Sequence, residues 1–274
     1  DCIMKKIVVS KQRQSREYLS NPHSNKSLSE RQNKSGCISY TKDVKYKDLG
    51  NGYSNIFIGV LQKALAISKK WSRYMLNEAY SAGLISQSFW FIEFKKVVKL
   101  IFCGKSEDEI KRLCLEENLF GAAKEYRAKR MFGYIIKRAK TLDKHLVDLF
   151  VTSDLSTQKL INLIAIMRLD RLMYEFVYEV YREKVILGIL TIDDSDVNIF
   201  FNKKSVQCED IALWKFSTLN HLRSNYINFL ADANLITTID KSKTFTPPIL
   251  DVALERYLVA NGERTLVKAI TGVN

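Results

Sequence analysis

Residues 124–140 read KEYRAKRMFGYIIKRAK, with seven Lys or Arg side chains and a single carboxylate, Glu125. Cations at this density suit one kind of chemistry: they neutralise a polyanion and release its condensed counterions. At helical spacing, Ala128, Met131, Phe132, Ile135, Ala139 and Leu142 form one inner seam. Lys129, Arg130, Gly133, Lys137 and Lys140 fall outside it, flanked by Lys124, Arg127 and Arg138. A row of cations repeating each helical turn can follow one wall of a duplex groove. Tyr126 and Tyr134 add hydroxyls for phosphate or sugar. A solvated basic face is the bland alternative. A membrane-surface helix is disfavoured, because the apolar seam is claimed by an expected core neighbour and carries no Trp.

A second set of polar side chains lies further on. In STLNHLRSNYINFLADAN, residues 217–234, the inner seam is Leu219, Leu222, Tyr226, Phe229, Leu230 and Ala233. Thr218, Asn220, His221, Ser224 and Asn225 point outward, with Arg223 beside them. Short donors and acceptors near a helix start are the groups that touch base edges or phosphates. Lys241 and Lys243 follow at the tip of an alternating segment.

Other constellations carry less. Glu175, Glu179 and Glu183 recur at i, i+4 and i+8, but no facing helix supplies the Glu-x-x-His that a di-metal bundle needs. Arg168, Arg171, Arg182 and Lys184 are interleaved with them, so internal ion pairing is the better reading. His145 and Asp148 have no nucleophile placed beside them. DDSD at 193–196 lacks the Gly and terminal Glu of a calcium loop and reads as a turn and helix cap. There is no phosphate-binding loop and no G-x-G-x-x-G. These residues predict neither an enzyme nor a metal or cofactor site.

The elements that must position the two polar sets are mostly helical. SQSFWFIEFKKVVKLIF (86–102) has helical period and is stopped by Gly104. SEDEIKRLCLEEN (106–118) opens on a capping box of Ser106 and Glu109 and can end at Asn118 in the left-handed conformation. It would support a reader helix at 121–140, giving a first helix-turn-helix. Asp154 or Ser156 caps a long helix that runs through STQKLINLIAIMRLDRLMYEFVYEVYREKVI and is apolar around most of its circumference, so it is central. VNIFFNKK, CEDIALW (208–214) and 217–234 follow as helices. LITTID-KSK-TFTPPIL then alternates as a β-hairpin, with Pro247 and Pro248 ending its second strand. Helix, turn, helix, basic hairpin is the winged-helix plan. Residues 249–260 are helical again. The fold expected is mainly α, with two helix-turn-helix or winged-helix-like units. Its divisions are a basic mobile segment (1–52), a linking helix (53–79), an N-terminal helix-turn-helix domain (80–150) and a C-terminal winged-helix domain (151–274). Met75 looks like the start of the compact part, which would make residues 1–74 an appendage.

Charge follows the same division. The formal net charge of the 274 residues is +13. Residues 1–50 carry 11 Lys/Arg against 5 Asp/Glu, residues 51–150 carry 18 against 10, and the remainder carries 14 against 15. The positive field thus sits in the N-terminal half, as a polyanion-binding face requires. Cys2, Cys37, Cys103, Cys114 and Cys208 form no C-x-x-C and have no His at zinc-ligand spacing, which fits a reducing cytosol. MKKIVVSK resembles a signal peptide only at its start, with no apolar run of that length behind it. LINLIAIM and IFIGVL fall well short of the ~18–20 residues of a membrane span.

The run from YSAGLISQSFWF through EENLFGAAKEYRAKRMFGYIIKR to SDLSTQKLINLIAIMRLDRLMYEFVYEVYREK resembles the BrxA family of bacterial BREX phage-exclusion systems. FFNKKS and ALWKFSTLNHLRSNYINFLADANLI continue the resemblance, which spans about residues 80–272. It implies a non-enzymatic helical protein with winged-helix-like domains that binds double-stranded DNA. The implied partners are a methyltransferase, an ATPase and a phosphatase-like protein. The family has also been compared with the RNA-binding antitermination factor NusB, so RNA binding and a protein-adaptor role are the competing functions. The candidate DNA contacts are Lys124, Arg127, Lys129, Arg130, Lys137, Arg138 and Lys140 in the first unit. Thr218, His221, Arg223, Asn225, Lys241 and Lys243 are those in the second.

Overall fold

The computed structural model describes residues 79–239 and 242–273, with Ile239 described by its backbone alone. The basic segment, the linking helix and Lys241 lie outside these residues. The fold is mainly helical, with a two-stranded antiparallel hairpin near the C-terminus.

A short 3-10 turn at Gly83–Ser86 precedes α1 (Phe91–Phe102). The helix expected from residue 86 therefore begins five residues later. Trp90, its N-cap, has φ of 45°, which breaks the helical path. The carbonyls of residues 84, 85 and 87–89 instead accept side-chain donors from distant helices. Gly104 then turns the chain with φ of 78°.

The capping box of α2 (Glu107–Leu115) forms as expected. Ser106 Oγ accepts from the Glu109 backbone N–H, and the Ser106 N–H donates to Glu109 Oε2 at 2.8 Å. Asn118 takes φ of 48° and hydrogen-bonds Ala122 through its side chain, prolonging the turn so that α3 (Glu125–Lys140) starts after Lys124 rather than at 121. Asp143 caps α4 (Lys144–Thr152), and Asp154 caps α5 (Leu155–Leu169).

The long central helix is divided. Asp170 adopts φ −133° and ψ 107°, ends α5, and caps α6 (Arg171–Phe176) by accepting from the Met173 N–H at 2.8 Å. A π-helical turn, Val177–Tyr181, joins α6 to α7 (Arg182–Ile186). The aspartate inside an apolar run was the available signal. It competes for backbone donors better than it fits a helix interior.

Next come α8 (Asp194–Gln207), the short α9 (Glu209–Ala212) and α10 (Phe216–Asp232). The hairpin is β1 (Ile236–Ile239) paired with β2 (Ser242–Phe245), in register Ile236 to Phe245. Residues 190–192 edge along β2 as well. The Ile192 N–H donates to the Lys243 carbonyl at 3.1 Å, and the Phe245 N–H donates to that of Leu190 at 2.6 Å. The C-terminal helix expected over 249–260 is α11 (Val252–Ala260), followed by α12 (Arg264–Thr271).

The described residues belong to one compact unit and share one apolar cluster. Its centre is α5, where every residue from Leu160 to Arg168 is buried. Phe94 of α1 meets Phe150 of α4 edge-on at 5.5 Å, and Phe176 meets both Phe200 and Tyr226. Arg168 and Glu263 form a buried bidentate pair at 2.5 and 3.1 Å, and Arg168 also donates to the Thr141 carbonyl at 2.6 Å. Arg168, at the end of α5, thus joins the end of α3 to the start of α12. No helix among the described residues is long and apolar enough to cross a membrane.

Candidate nucleic-acid interface

The inner face of α3 is the predicted seam. Ala128, Met131, Phe132, Ile135 and Ala139 are buried, as is Leu142 just beyond the helix, and Ile136 joins them. Burying that stripe against α1, α2 and α5 fixes the rotation of the helix. Lys124, Arg127, Lys129, Arg130 and Lys137 are all exposed. They make no ion pair and no side-chain hydrogen bond among the described residues. A 16-residue helix is about 24 Å long, so these cations form an extended row. Lys140 closes the row and is paired with Glu107 at 2.6 Å. Cations in the last turn also face the negative end of the helix dipole, which favours the helix itself.

Arg138 departs from the expected set. It is 1% exposed. Its Nη1 donates to the Phe89 carbonyl at 2.8 Å, and Nη2 donates to Gln87 Oε1 and the Ser88 carbonyl, both at 2.9 Å. The guanidinium also lies over the Trp90 ring, 5.6 Å from its centroid. Burial lowers its pKa to about 9, still high enough to keep the cation at neutral pH. Arg138 is therefore a clamp on the 84–89 segment and is not placed to meet DNA. On the wheel it borders Met131, Ile135 and Leu142, but its acceptors lie about fifty residues upstream and leave no local sign. Tyr134 is likewise engaged, with its hydroxyl 2.9 Å from Ser86 Oγ and its ring stacked on Trp90 at 6.1 Å. Tyr126 remains 68% exposed beside the cations.

The 84–89 segment is the feature that sequence reasoning missed. It is a strap across three helices. Arg138 of α3 holds three of its groups, and Asn162 of α5 donates to the Phe89 carbonyl at 2.9 Å. Asn225 of α10 donates to the carbonyls of Leu84 at 2.8 Å and Ile85 at 3.2 Å. Asn225 was expected to face outward, and the strap covers it.

The second candidate set is largely used within the fold. Leu222, Tyr226, Phe229 and Leu230 form the buried face of α10, with Leu219 half-buried. Arg223 Nη1 donates to Asn220 Oδ1 at 2.9 Å, and its guanidinium lies over Phe201 at 5.8 Å. Lys243 pairs with Asp194 at 3.2 Å. Thr218 is half-buried and His221 exposed, and neither has a side-chain partner among the described residues. A cleft of about 470 Å³ opens between α8, α10 and β2, with Asp194, Asn220, Arg223 and Lys243 among its walls and Phe216, 73% exposed, at its edge.

The acidic constellations are structural. Glu175 pairs with Arg171 at 2.7 Å and with Lys204 at 2.5 Å, and it accepts from the Tyr80 hydroxyl at 2.9 Å. Glu179 pairs with Lys204 at 2.7 Å, and Glu183 with Arg182 at 3.8 Å. Of the interleaved cations, Arg171 and Arg182 pair with these glutamates, whereas Arg168 pairs with Glu263 and Lys184 with Asp196, and Lys204 of α8 completes the cluster. Burial raises the Glu175 carboxyl, but the donors around it prevail and hold its pKa below the ordinary value. His145 stacks on Tyr257 at 5.5 Å. Among the described residues no group of three or more His, Cys, Asp or Glu could hold a metal ion.

The family model BrxA matches residues 78–262. A BREX protein BrxA from Bacillus cereus (strain H3081.97) is 31% identical over 196 residues, covering 72% of this chain and 98% of its own. In fold, the chain is similar to a solved structure, an uncharacterized protein from Magnetospirillum magneticum. That likeness has a TM-score of 0.60 at 18% identity and covers 72% of this chain and all of the other. Match length and identity together place the chain in the BrxA family.

Proposed function

We propose that this chain is a non-catalytic, double-stranded DNA-binding subunit of a BREX phage-defence system, acting in the bacterial cytoplasm. The observation that carries the reading is the row on α3. Lys124 at the N-cap and Arg127, Lys129, Arg130 and Lys137 along the helix reach solvent, while the opposite face is locked into the core. Cations without a local counter-charge are the ones available to phosphates. On this reading, contact is mainly with the phosphate backbone, the part of a duplex that a row of cations follows without regard to sequence.

The helix, short helix, helix and hairpin of residues 194–245 support a winged-helix reading of the C-terminal unit. Thr218 and His221 would touch DNA there, with Lys243 of β2 as a secondary contact and Lys241, outside the described residues, as a further candidate. A second reading of this unit has its own support. Leu213, just after α9, and Phe216, the first residue of α10, are 82% and 73% exposed, which suits a protein surface. The partners would then be other BREX components, such as the methyltransferase, ATPase or phosphatase-like protein.

Fluorescence anisotropy with a labelled duplex tests the α3 reading. Replacing Arg127, Arg130 and Lys137 by Glu should remove binding while the far-ultraviolet spectrum and melting curve stay unchanged. Unchanged affinity in this variant would move the interface away from α3. Competition by structured RNA at least as strong as by duplex would favour the RNA-binding alternative.

A further inference from the structure

Gly133 stands in the middle of α3. Among the common residues only proline is less favourable inside a helix. Two ordinary reasons for a helical glycine are absent. Its φ is not positive, and a Cβ built on it meets no atom within 4 Å. Gly272 is different, since a Cβ there would come within 2.4 Å of Val185. Neither backbone conformation nor internal packing therefore calls for glycine at position 133.

Its surface neighbours suggest the reason. Lys129, Arg130 and Lys137 lie one helical turn away, at i−4, i−3 and i+4. Tyr126 and Lys140 lie two turns away on the same stripe. Gly133 is the one bare point on that stripe, ringed by long cationic side chains. A glycine is the residue that lets another backbone come close.

We propose that Gly133 is the point of closest approach between α3 and the DNA backbone. The sugar-phosphate chain lies against the helix backbone there, while Lys129, Arg130 and Lys137 reach around it to the phosphates. This rests on the reading of α3 as the duplex-binding face. It adds an orientation: the Gly133 flank of the helix sits deepest.

The test uses Gly133→Ala and Gly133→Leu in the full chain, with a labelled duplex as probe and the Arg127/Arg130/Lys137-to-Glu variant as reference. Both substitutions should raise the melting temperature, by about 2–4 °C, because each improves helix propensity at an open position. Duplex affinity should nevertheless fall with side-chain size, slightly for Ala and by about tenfold or more for Leu, one tenfold step being about 1.4 kcal/mol. Wild-type affinity in Gly133→Leu, with binding lost in the reference variant, would overturn the close approach and leave the α3 reading intact. Equal losses for Ala and Leu would overturn it too, because helix stiffness would then be the cause. If the wild-type chain fails to bind duplex, the α3 reading falls first and the close approach with it.

Discussion

Along α3, five cations reach solvent without a described counter-charge. Along α10 and β2, Asn225 holds the strap, Arg223 holds Asn220 and covers Phe201, and Lys243 holds Asp194. The two units share a local plan of short helix, turn and longer helix. What separates them is long-range packing. The 84–89 strap runs over α10 and takes up Asn225, whereas on α3 it takes up only Arg138 and Tyr134 and leaves the rest of the polar face open. Helix periodicity tells which side chains face outward from one helix. It does not tell whether another segment of the same chain lies over them.

The sharpest way to break this comparison is to separate the engaged cation from the open ones. Arg138→Ala should destabilise the fold by roughly 3 kcal/mol in urea denaturation, because it strips a charged donor from buried carbonyls. A variant with wild-type stability but impaired duplex binding would return Arg138 to the interface. Charge reversal at Arg127, Arg130 and Lys137 should do the opposite. Affinity should drop by at least about 100-fold at ~0.15 M salt, with the melting curve unmoved. Replacing Thr218, His221 and Arg223 by Ala should reduce affinity by less than about tenfold, and a larger loss would make α10 the main contact.

Smaller effects sharpen the role of the strap. Asn225→Ala should cost about 1–2 kcal/mol and speed proteolytic cleavage near residues 84–89, since the Ile85 carbonyl loses its donor and that of Leu84 keeps only the Gln87 N–H. Unchanged protection would show that Arg138 and Asn162 hold the strap alone. Smallest of all, Lys243→Ala should change stability by less than about 1 kcal/mol, because its partner Asp194 is 88% exposed.

Much of this was legible in the amino-acid sequence because its causes are local. The Ser106–Glu109 capping box, the α3 seam and the hairpin ahead of Pro247 and Pro248 depend on residues within a few positions of one another. The rest depends on distant partners. Nothing near Arg138 announces that Ser88 and Phe89 will present their carbonyls to it. Asp170 was an intermediate case. Its carboxylate inside an apolar run marked the break between α5 and α6, but the strength of the surrounding pattern hid it.

The salt dependence of duplex binding tests the central claim most directly. Five phosphate contacts from α3 predict that log affinity falls with log salt at a slope of about −4.5, and that reversing Arg127, Arg130 and Lys137 brings the slope to about −2 or shallower. A wild-type interaction insensitive to salt, or a slope that the reversal leaves unchanged, would contradict the assignment of the interface to α3.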